Sequence, residues 1–342
     1  MDAWDRLRAG LVIPAHPLAL TARRTLDERR QRALTRYYID AGAGGLAVGV
    51  HTTQFAIRER GLYGPVLELA MQTARAEAAA RPGPPPVMIA GAVGATRQAV
   101  AEAEAAGALG YDAVLLSLGA LRDASDVELV AHCRAVAEVL PLVGFYLQPA
   151  VGGRVLGYDF WRALAGVPDL WAVKIAPFDR YRTIDAVRGI AEGGGERVAL
   201  YTGNDDSIVA DLVTPIPTRA GARWFDGGLL GQWATGTRRA VTLLERAKRA
   251  REGVVDTQLL REGAALTDFN AAIFDAAHGF AGCIPGIHEI LRRQGLLEGL
   301  WCLDEHEALS PGQLAEIERV CAAYPSLLDD EFIAGNRDRW MR

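Results

Sequence analysis

The chain has 342 residues, of which 50% are hydrophobic and 23% are charged, a profile typical of a soluble globular protein. The formal net charge is −5 and no basic run stands out, which argues against a nucleic-acid partner and against binding to an anionic membrane surface. The four cysteines form no C-x-x-C motif, so neither a disulfide framework nor a zinc site is indicated.

A short apolar run followed by an amphipathic stretch recurs along the chain. The predicted strands are 11–16, 45–50, 87–92, 113–118, 142–148, 170–176, 198–203 and 224–231. The helical stretches after them are 25–41, 64–80, 96–109, 126–139, 158–166, 179–192, 206–213 and 236–250. This alternation predicts an α/β fold in which parallel strands close into a (β/α)8 TIM barrel over residues 1–254. The alternative is an open doubly wound sheet. It is disfavoured because no glycine-rich phosphate turn follows the first strand.

Strand patterns stop after about residue 255. Helical spacing continues at 256–280, 284–295 and 311–323. We therefore expect residues 255–342 to form a C-terminal helical extension packed on the barrel, with the last residues loosely held.

Lysine is almost absent from the chain, since only Lys174 and Lys248 occur among 37 basic residues. An arginine stays protonated, whereas a desolvated lysine can lose its proton and attack a carbonyl. Strand alternation in 170–176 directs Lys174 into the barrel between Ala172 and Ala176, where burial lowers the pKa of the amine. Lys174 is thus either a nucleophile or a structural lysine paired with a carboxylate.

Tyr146 lies on the preceding predicted strand, 142–148. We take the alternation to direct Tyr146 into the interior and Phe145 outwards, which places the phenol one strand away from Lys174. A phenol there can transfer protons to and from intermediates. The alternative is a core tyrosine whose hydroxyl bonds to a backbone carbonyl.

The turn after the second strand reads His51-Thr52-Thr53. Barrel active sites lie at this end of the strands, and two hydroxyls with adjacent backbone N–H groups can cradle a carboxylate. His51 and His16 lie near the ends of adjacent strands, where each can contact substrate or pack in its turn. No carboxylate at ligand spacing accompanies them, so no metal is expected.

The order of these segments resembles the dihydrodipicolinate synthase / N-acetylneuraminate lyase family. That family has a G-T-T-G-E turn after strand two, a Y-N-x-P segment on strand five, a lysine on strand six and a G-x-D segment on strand seven. The corresponding segments here are His51-Thr52-Thr53-Gln54, Tyr146-Leu147-Gln148-Pro149, Val173-Lys174-Ile175 and Gly203-Asn204-Asp205. The resemblance covers nearly the whole chain.

The resemblance implies a role for each matched residue. Lys174 is the Schiff-base lysine, Tyr146 transfers protons, and Thr52 supports Tyr146 in the proton relay. Thr53 binds the carboxylate of a 2-oxo acid, and Gly203 lies beside the bound substrate. His51 is a candidate substrate contact by its position in the turn.

Some positions depart from the family pattern. Gln54 and Phe55 stand where the family has Gly-Glu, and His51 replaces the first glycine of the turn. Val151 stands where the synthase branch has an arginine for a second carboxylate, and 116–125 lacks the tyrosine that this branch sends to a neighbouring subunit. We therefore expect an enzyme other than a true dihydrodipicolinate synthase.

The expected function is a Schiff-base lyase or aldolase of the class I type, acting on pyruvate or another 2-oxo acid. Two alternatives stay open: a dehydratase of a deoxy keto sugar acid that uses the same imine, and a catalytically silent barrel that binds a keto acid. We expect no metal or cofactor, a cytoplasmic location and no membrane partner. The resemblance implies a homo-oligomer, either a dimer or a tetramer.

Overall fold

Eight parallel strands form the centre of the molecule in a computed structural model that describes residues 1–342. The strands are β1 Val12–Pro14, β2 Gly45–Val48, β3 Val87–Ala92, β4 Ala113–Leu116, β5 Leu142–Leu147, β6 Leu170–Ala176, β7 Ala199–Thr202 and β8 Gly227–Leu230. They pair in the order β1-β8-β7-β6-β5-β4-β3-β2. The backbone N–H of His16 donates to Ala47 O at 2.8 Å, which joins β1 to β2 and closes the ring. The predicted TIM barrel is confirmed.

Helices follow the strands on the outside of the barrel. The helices that precede or alternate with the strands are α1 Ala3–Ala9, α2 Glu28–Asp40, α3 Tyr63–Ala79, α4 Thr96–Leu109, α5 Asp126–Ala137, α6 Tyr158–Leu164, α7 Arg180–Glu192, α8 Ile208–Val213 and α9 Thr237–Arg251. The remaining chain is helical, with α10 Thr257–Ile273, α11 Cys283–Arg293, α12 Gln313–Ala323 and α13 Asp330–Trp340. None of these helices combines the length and hydropathy needed to cross a bilayer.

Helix α1, which the sequence patterns did not predict, packs across the amino ends of the strands. Trp4 stacks on Trp171 at the start of β6 with 6.3 Å between ring centroids. The hydroxyl of Tyr201 on β7 donates to Leu7 O at 2.8 Å. This end of the barrel is therefore filled by packed side chains, and only the opposite end is available for a site.

The C-terminal helix α13 is firmly packed, so the expectation that the last residues are loosely held is wrong. Trp340 is fully buried, and its ring lies 5.4 Å from the ring of Tyr37 on α2. Arg36 donates to the carbonyl of Trp340. A buried indole of this size contributes a large apolar contact that fixes the end of the chain.

The predicted orientation of β5 is also wrong. Val143, Phe145 and Leu147 belong to the core inside the barrel, whereas Tyr146 belongs to the core between strands and helices. Alternation establishes which residues share a face, but both faces of a barrel strand are buried and apolar, so the sequence does not mark the inner one. Lys174 was correctly placed on the inner face of β6, because its charge distinguishes that face.

Candidate active site

A cavity opens at the carboxyl ends of the strands, where the active sites of barrel enzymes lie. It spans about 530 Å³ with its open mouth included. Four of the predicted site residues line it, namely Lys174, His51, Thr52 and Gly203. Asp205, which was not among the predicted site residues, lines the same cavity.

Lys174 projects into the cavity from β6 and is 8% exposed. Its ammonium makes no hydrogen bond within the protein and no ion pair within 4.0 Å, and it lies 4.6 Å from the ring centroid of Phe145 on β5. Burial lowers the pKa of the Lys174 amine, and the charge of Asp205 opposes this shift. An amine in this setting loses its proton more easily than a solvated lysine and is free to react. The alternative of a structural lysine held in an ion pair is not supported.

Gly203 leaves the space that the Lys174 side chain occupies. A Cβ atom at this position would lie 2.6 Å from Lys174 Cε and 2.8 Å from Ala176 Cβ. Both distances are shorter than van der Waals contact. Position 203 therefore requires a glycine, because the side chain of Lys174 passes directly over it.

Substitution of Gly203 by alanine is expected to displace Lys174 and to slow imine formation by about 10- to 100-fold, because a shift of about 1 Å in a reacting group has effects of this size. The measurement is the rate at which borohydride traps a 2-oxo acid on the protein. Gly335→Ala is the matched control, since a Cβ atom there meets nothing within 4 Å. Equal trapping rates for both variants and the wild type would contradict the claim that Gly203 leaves the space for Lys174.

Asp205 faces the cavity from the loop after β7 and is 8% exposed. Its Oδ1 accepts a hydrogen bond from the backbone N–H of Gln232 at 3.3 Å. Burial raises the pKa of the Asp205 carboxyl, and the charge of Lys174 opposes this shift. The two opposite shifts bring the pKa values of the amine and the carboxyl towards each other.

Hydrogen bonds from neighbouring elements fix the loop that carries Asp205. The amide of Asn204 donates to Asp211 on α8 at 2.9 Å and to Thr183 on α7 at 3.0 Å. The side-chain oxygen of Asn204 accepts the backbone N–H of Phe178 at 3.1 Å. Asp211, which is fully buried, also accepts the hydroxyl of Thr202 at 2.6 Å. The Gly203–Asp205 segment is therefore held in one conformation.

The threonine turn does not take up the predicted relay, since Thr52 makes no hydrogen bond to Tyr146 and its predicted support of Tyr146 is not seen. Thr52 lines the cavity, and its hydroxyl makes one long contact, at 3.4 Å, with His16 O. The hydroxyl of Thr53 accepts the N–H groups of Gly49 and Val50 at 3.0 and 3.2 Å and donates to His16 O at 2.7 Å. Thr53 is fully buried outside the cavity. The structure therefore does not bring the hydroxyl of Thr53 to the cavity, since that hydroxyl already stabilises the turn. Binding of a carboxylate by Thr53 with the backbone N–H groups of the turn stays a prediction.

The two histidines near this turn have different environments. His51 lines the cavity, where burial and the charge of Lys174 lower its pKa to about 4, so it is neutral near pH 7. His16 is fully buried beside α2, with its Nε2 2.8 Å from the hydroxyl of Thr35 and its Nδ1 2.9 Å from Pro17 O. His16 therefore packs the interface between β1 and α2, and only His51 is available to a substrate.

Tyr146 points away from the cavity, so the structure does not bring it together with Lys174. Its hydroxyl accepts the backbone N–H of Leu156 at 3.2 Å, and its ring lies 5.2 Å from that of Trp161 on α6. The predicted proton-transfer role requires a phenol inside the barrel, and Phe145 occupies that place. The alternative of a core tyrosine matches this position, although the hydroxyl accepts from a backbone N–H instead of donating to a carbonyl.

Substitution of Tyr146 by phenylalanine is expected to leave turnover within about threefold of the wild type, because the hydroxyl does not reach the cavity. Stability is expected to fall by about 1 to 3 kcal/mol, since the buried N–H of Leu156 loses its acceptor. Chemical denaturation and steady-state kinetics measure the two effects. A drop in turnover of more than about 100-fold with the fold intact would show that Tyr146 takes part in the reaction.

The C-terminal extension completes the cavity with aromatic side chains. The segment between α10 and α11 contributes Phe274 and Phe280 to the cavity, and the first residue of α11 contributes Cys283. The ring of Phe280 packs edge-to-face on that of Phe178, with 5.4 Å between the ring centroids. Phe178 and Phe280 have φ values of 51° and 70°, a conformation that costs a non-glycine residue about 1 to 3 kcal/mol. The surrounding structure therefore holds both rings in place against local strain.

Comparison with known proteins shows the family to which the chain belongs. Residues 10–214 match the sequence model of the Dihydrodipicolinate synthetase family. The chain belongs to the dihydrodipicolinate synthetase family. Its members that are dihydrodipicolinate synthases and N-acetylneuraminate lyases are class I aldolases, so the chain is an enzyme of the lyase type.

Individual relatives in the dihydrodipicolinate synthetase family cover most of the chain. The N-acetylneuraminate lyase of Citrobacter koseri is 29% identical over 223 residues, which is 64% of this chain and 67% of that protein. The dihydrodipicolinate synthase structure of Oceanobacillus iheyensis has a TM-score of 0.75 at 17% identity and covers 95% of this chain and 100% of that one. The N-acetylneuraminate lyase structure of Fusobacterium nucleatum has a TM-score of 0.72 at 17% identity, with 94% and 99% covered. The two structures share the fold of this chain.

Gln54 shows how this chain departs from the family pattern. It stands where the family has a glycine, and its φ of 68° is one that glycine adopts without strain. Its side-chain oxygen accepts the backbone N–H of Leu303 at 2.6 Å. The replacement of glycine by glutamine thus ties the threonine turn to the C-terminal extension.

Proposed function

We propose that the protein is a Schiff-base lyase or aldolase in which the Lys174 amine attacks the C2 carbonyl of pyruvate or another 2-oxo acid. The observation that carries this proposal is an amine buried in the cavity, without a hydrogen bond or ion pair of its own, beside a buried carboxyl. A related prophage protein of Escherichia coli K12 was solved in complex with pyruvate, at 17% identity and a TM-score of 0.74. That complex supports a 2-oxo acid as the substrate class.

In the proposed reaction, the neutral amine of Lys174 adds to the ketone and water leaves, which gives an iminium. The iminium withdraws electrons, so a bond from C3 to carbon or hydrogen can break and leave an enamine. The ring of Phe145, 4.6 Å from the nitrogen, stabilises the cation by a cation–π interaction. Hydrolysis of the imine returns the free amine.

We assign the proton transfers to Asp205, because it is the carboxyl that shares the cavity with Lys174. Burial raises the pKa of Asp205, so this group can both accept and return a proton near neutral pH. We assign the binding of the substrate carboxylate to the hydroxyl of Thr52 and the neutral ring of His51, because both line the cavity. Gly203 keeps the space in which Lys174 swings towards the ketone.

We further propose that the enzyme is not a true dihydrodipicolinate synthase. Val151, at the position of the arginine of that branch, lines the cavity, and no arginine does so. A second carboxylate on the substrate would therefore lack a guanidinium partner.

The test is the exchange of the methyl hydrogens of pyruvate in heavy water, followed by proton NMR. Formation and reversal of the enamine replace these hydrogens with deuterium, and no second substrate is needed. We expect exchange well above that of heat-inactivated protein. Exchange at the background rate with correctly folded protein would contradict the proposal and would favour a barrel that binds a keto acid without turning it over.

We also propose a cytoplasmic location and a homo-oligomeric state, either dimer or tetramer. The four cysteines are all free thiols, which suits a reducing compartment. Sedimentation equilibrium measures the oligomeric state, and a purely monomeric protein at micromolar concentration would contradict that part of the proposal.

A further inference from the structure

We propose that the substrate of this site carries an aromatic group, and that the enzyme cleaves or forms 4-aryl-4-hydroxy-2-oxobutanoates, with pyruvate and an aromatic aldehyde as the two halves. This inference rests on the proposed imine chemistry of Lys174 and names the class of aldehyde that the cavity accepts. We infer that the cavity excludes sugar aldehydes and aldehydes that carry a carboxylate.

The charges in the cavity leave no partner for a second anion. Of the 17 residues that line it, only Lys174 and Asp205 are ionisable at neutral pH, and His51 is neutral there. The chain contains 37 lysine and arginine residues, yet no arginine lines the cavity. A distal carboxylate would therefore be desolvated without a cationic partner once Lys174 has become an imine, and burial of an unpaired charge is strongly unfavourable.

The polar groups of the cavity are few and lie near the reacting atoms. The uncharged ones from the barrel are His51, Thr52 and Gln148, which together suffice for the carboxylate and one hydroxyl. A sugar chain has several more hydroxyl groups, each of which needs a partner when it leaves water. Ten of the lining residues are hydrophobic, so most of those hydroxyl groups would face apolar side chains.

Aromatic rings form the wall on which a distal group would lie. Phe178 and Phe280 contact each other edge-to-face, and Phe274 lies in the same wall. Both Phe178 and Phe280 are held at positive φ, which shows that the fold maintains their positions in spite of the strain. Planar aryl groups pack on such rings in edge-to-face or offset geometry.

The reaction balances without an external oxidant or reductant. The Lys174 amine condenses with the C2 ketone and releases water. Asp205 takes the proton of the C4 hydroxyl, the C4–O bond becomes the carbonyl of the aryl aldehyde, and the electrons of the C3–C4 bond move to form the enamine. Protonation of C3 and hydrolysis of the imine then release pyruvate and restore the amine.

The first experiment compares three 2-oxo acids with different tails by borohydride trapping on the whole protein. The compounds are 2-oxo-4-phenylbutanoate, 2-oxoglutarate and 3-deoxy-2-oxogluconate, with pyruvate as the reference. We expect the phenyl compound to half-saturate trapping at a concentration at least tenfold lower than the other two. We also expect 4-hydroxy-2-oxo-4-phenylbutanoate to release pyruvate and benzaldehyde.

A pair of variants identifies the source of the preference. Phe280→Leu is expected to lower the preference for the phenyl tail over the carboxylate tail at least threefold. Phe332 packs on Trp340 and does not line the cavity, so Phe332→Leu is expected to leave that preference unchanged. An unchanged preference in Phe280→Leu would contradict the role of the aromatic wall.

The outcomes separate this inference from the proposed function. Trapping of pyruvate combined with equal or tighter trapping of the carboxylate or sugar compound would overturn the aromatic inference and leave the imine chemistry standing. No trapping of any 2-oxo acid, pyruvate included, would overturn both.

Discussion

Substitution of Lys174 by arginine is expected to reduce the rate of pyruvate hydrogen exchange by about 10⁴-fold or more, to the background rate. Arginine keeps a positive charge in the cavity but stays protonated and forms no imine. A charge that merely stabilised the fold or attracted the substrate would therefore survive this change. The measurement is the exchange rate in heavy water for folded protein, with the fold verified by circular dichroism.

Lys248→Arg is the matched control, because it is the same change at the other lysine of the chain. Lys248 donates to Ala9 O at 2.6 Å and to Gly10 O at 2.8 Å, at the closed end of the barrel. Its replacement is expected to leave exchange within about twofold. Substantial exchange in folded Lys174→Arg would show that another group carries the reaction.

Substitution of Asp205 by asparagine is expected to separate imine formation from proton transfer. Asparagine has a similar shape but cannot accept a proton, so pyruvate exchange should fall by about 10²- to 10⁴-fold. Borohydride trapping of pyruvate on Lys174 should persist, since the amine itself is intact. Asp206→Asn is the control, because Asp206 is the adjacent aspartate and is exposed outside the cavity.

The pH dependence of trapping in Asp205→Asn follows from the charges around Lys174. The carboxylate of Asp205 raises the pKa of the amine, in opposition to burial. Without that carboxylate the pKa falls further, so the neutral amine persists to lower pH. The acid limb of the trapping rate should therefore move down by about one pH unit. An upward shift, or a parallel loss of trapping and exchange, would contradict the assignment of Asp205.

Much of the fold was predictable because its signals are local. Each strand is a short apolar run, and each following helix shows period-3.6 spacing, as at 96–109, where the predicted and observed helices coincide. Lys174 was predictable because it is one of two lysines and the only charge within its strand. The glycine of Gly203-Asn204-Asp205 was predictable from the family pattern.

The rest of the site depends on contacts that sequence patterns do not encode. Tyr146 and Phe145 are adjacent aromatic residues on a strand buried on both faces, so alternation alone could not decide which one faces Lys174. The hydroxyl of Thr53 serves its own turn, which depends on the local backbone conformation. Phe280 reaches the cavity from a helical extension whose docking the sequence did not specify. Asp205 carries a signal in the sequence, since it is the third residue of the G-x-D segment.

In the proposed reaction Lys174 forms the covalent bond to the substrate, and one measurement tests this directly. The protein is incubated with pyruvate and borohydride, digested and analysed by mass spectrometry. We predict one carboxyethyl adduct per chain on the peptide that contains Lys174, with the peptide of Lys248 unmodified. An adduct found only at Lys248 or at the N-terminal amine, or no adduct on folded protein that binds pyruvate, would contradict the role of Lys174 as the nucleophile.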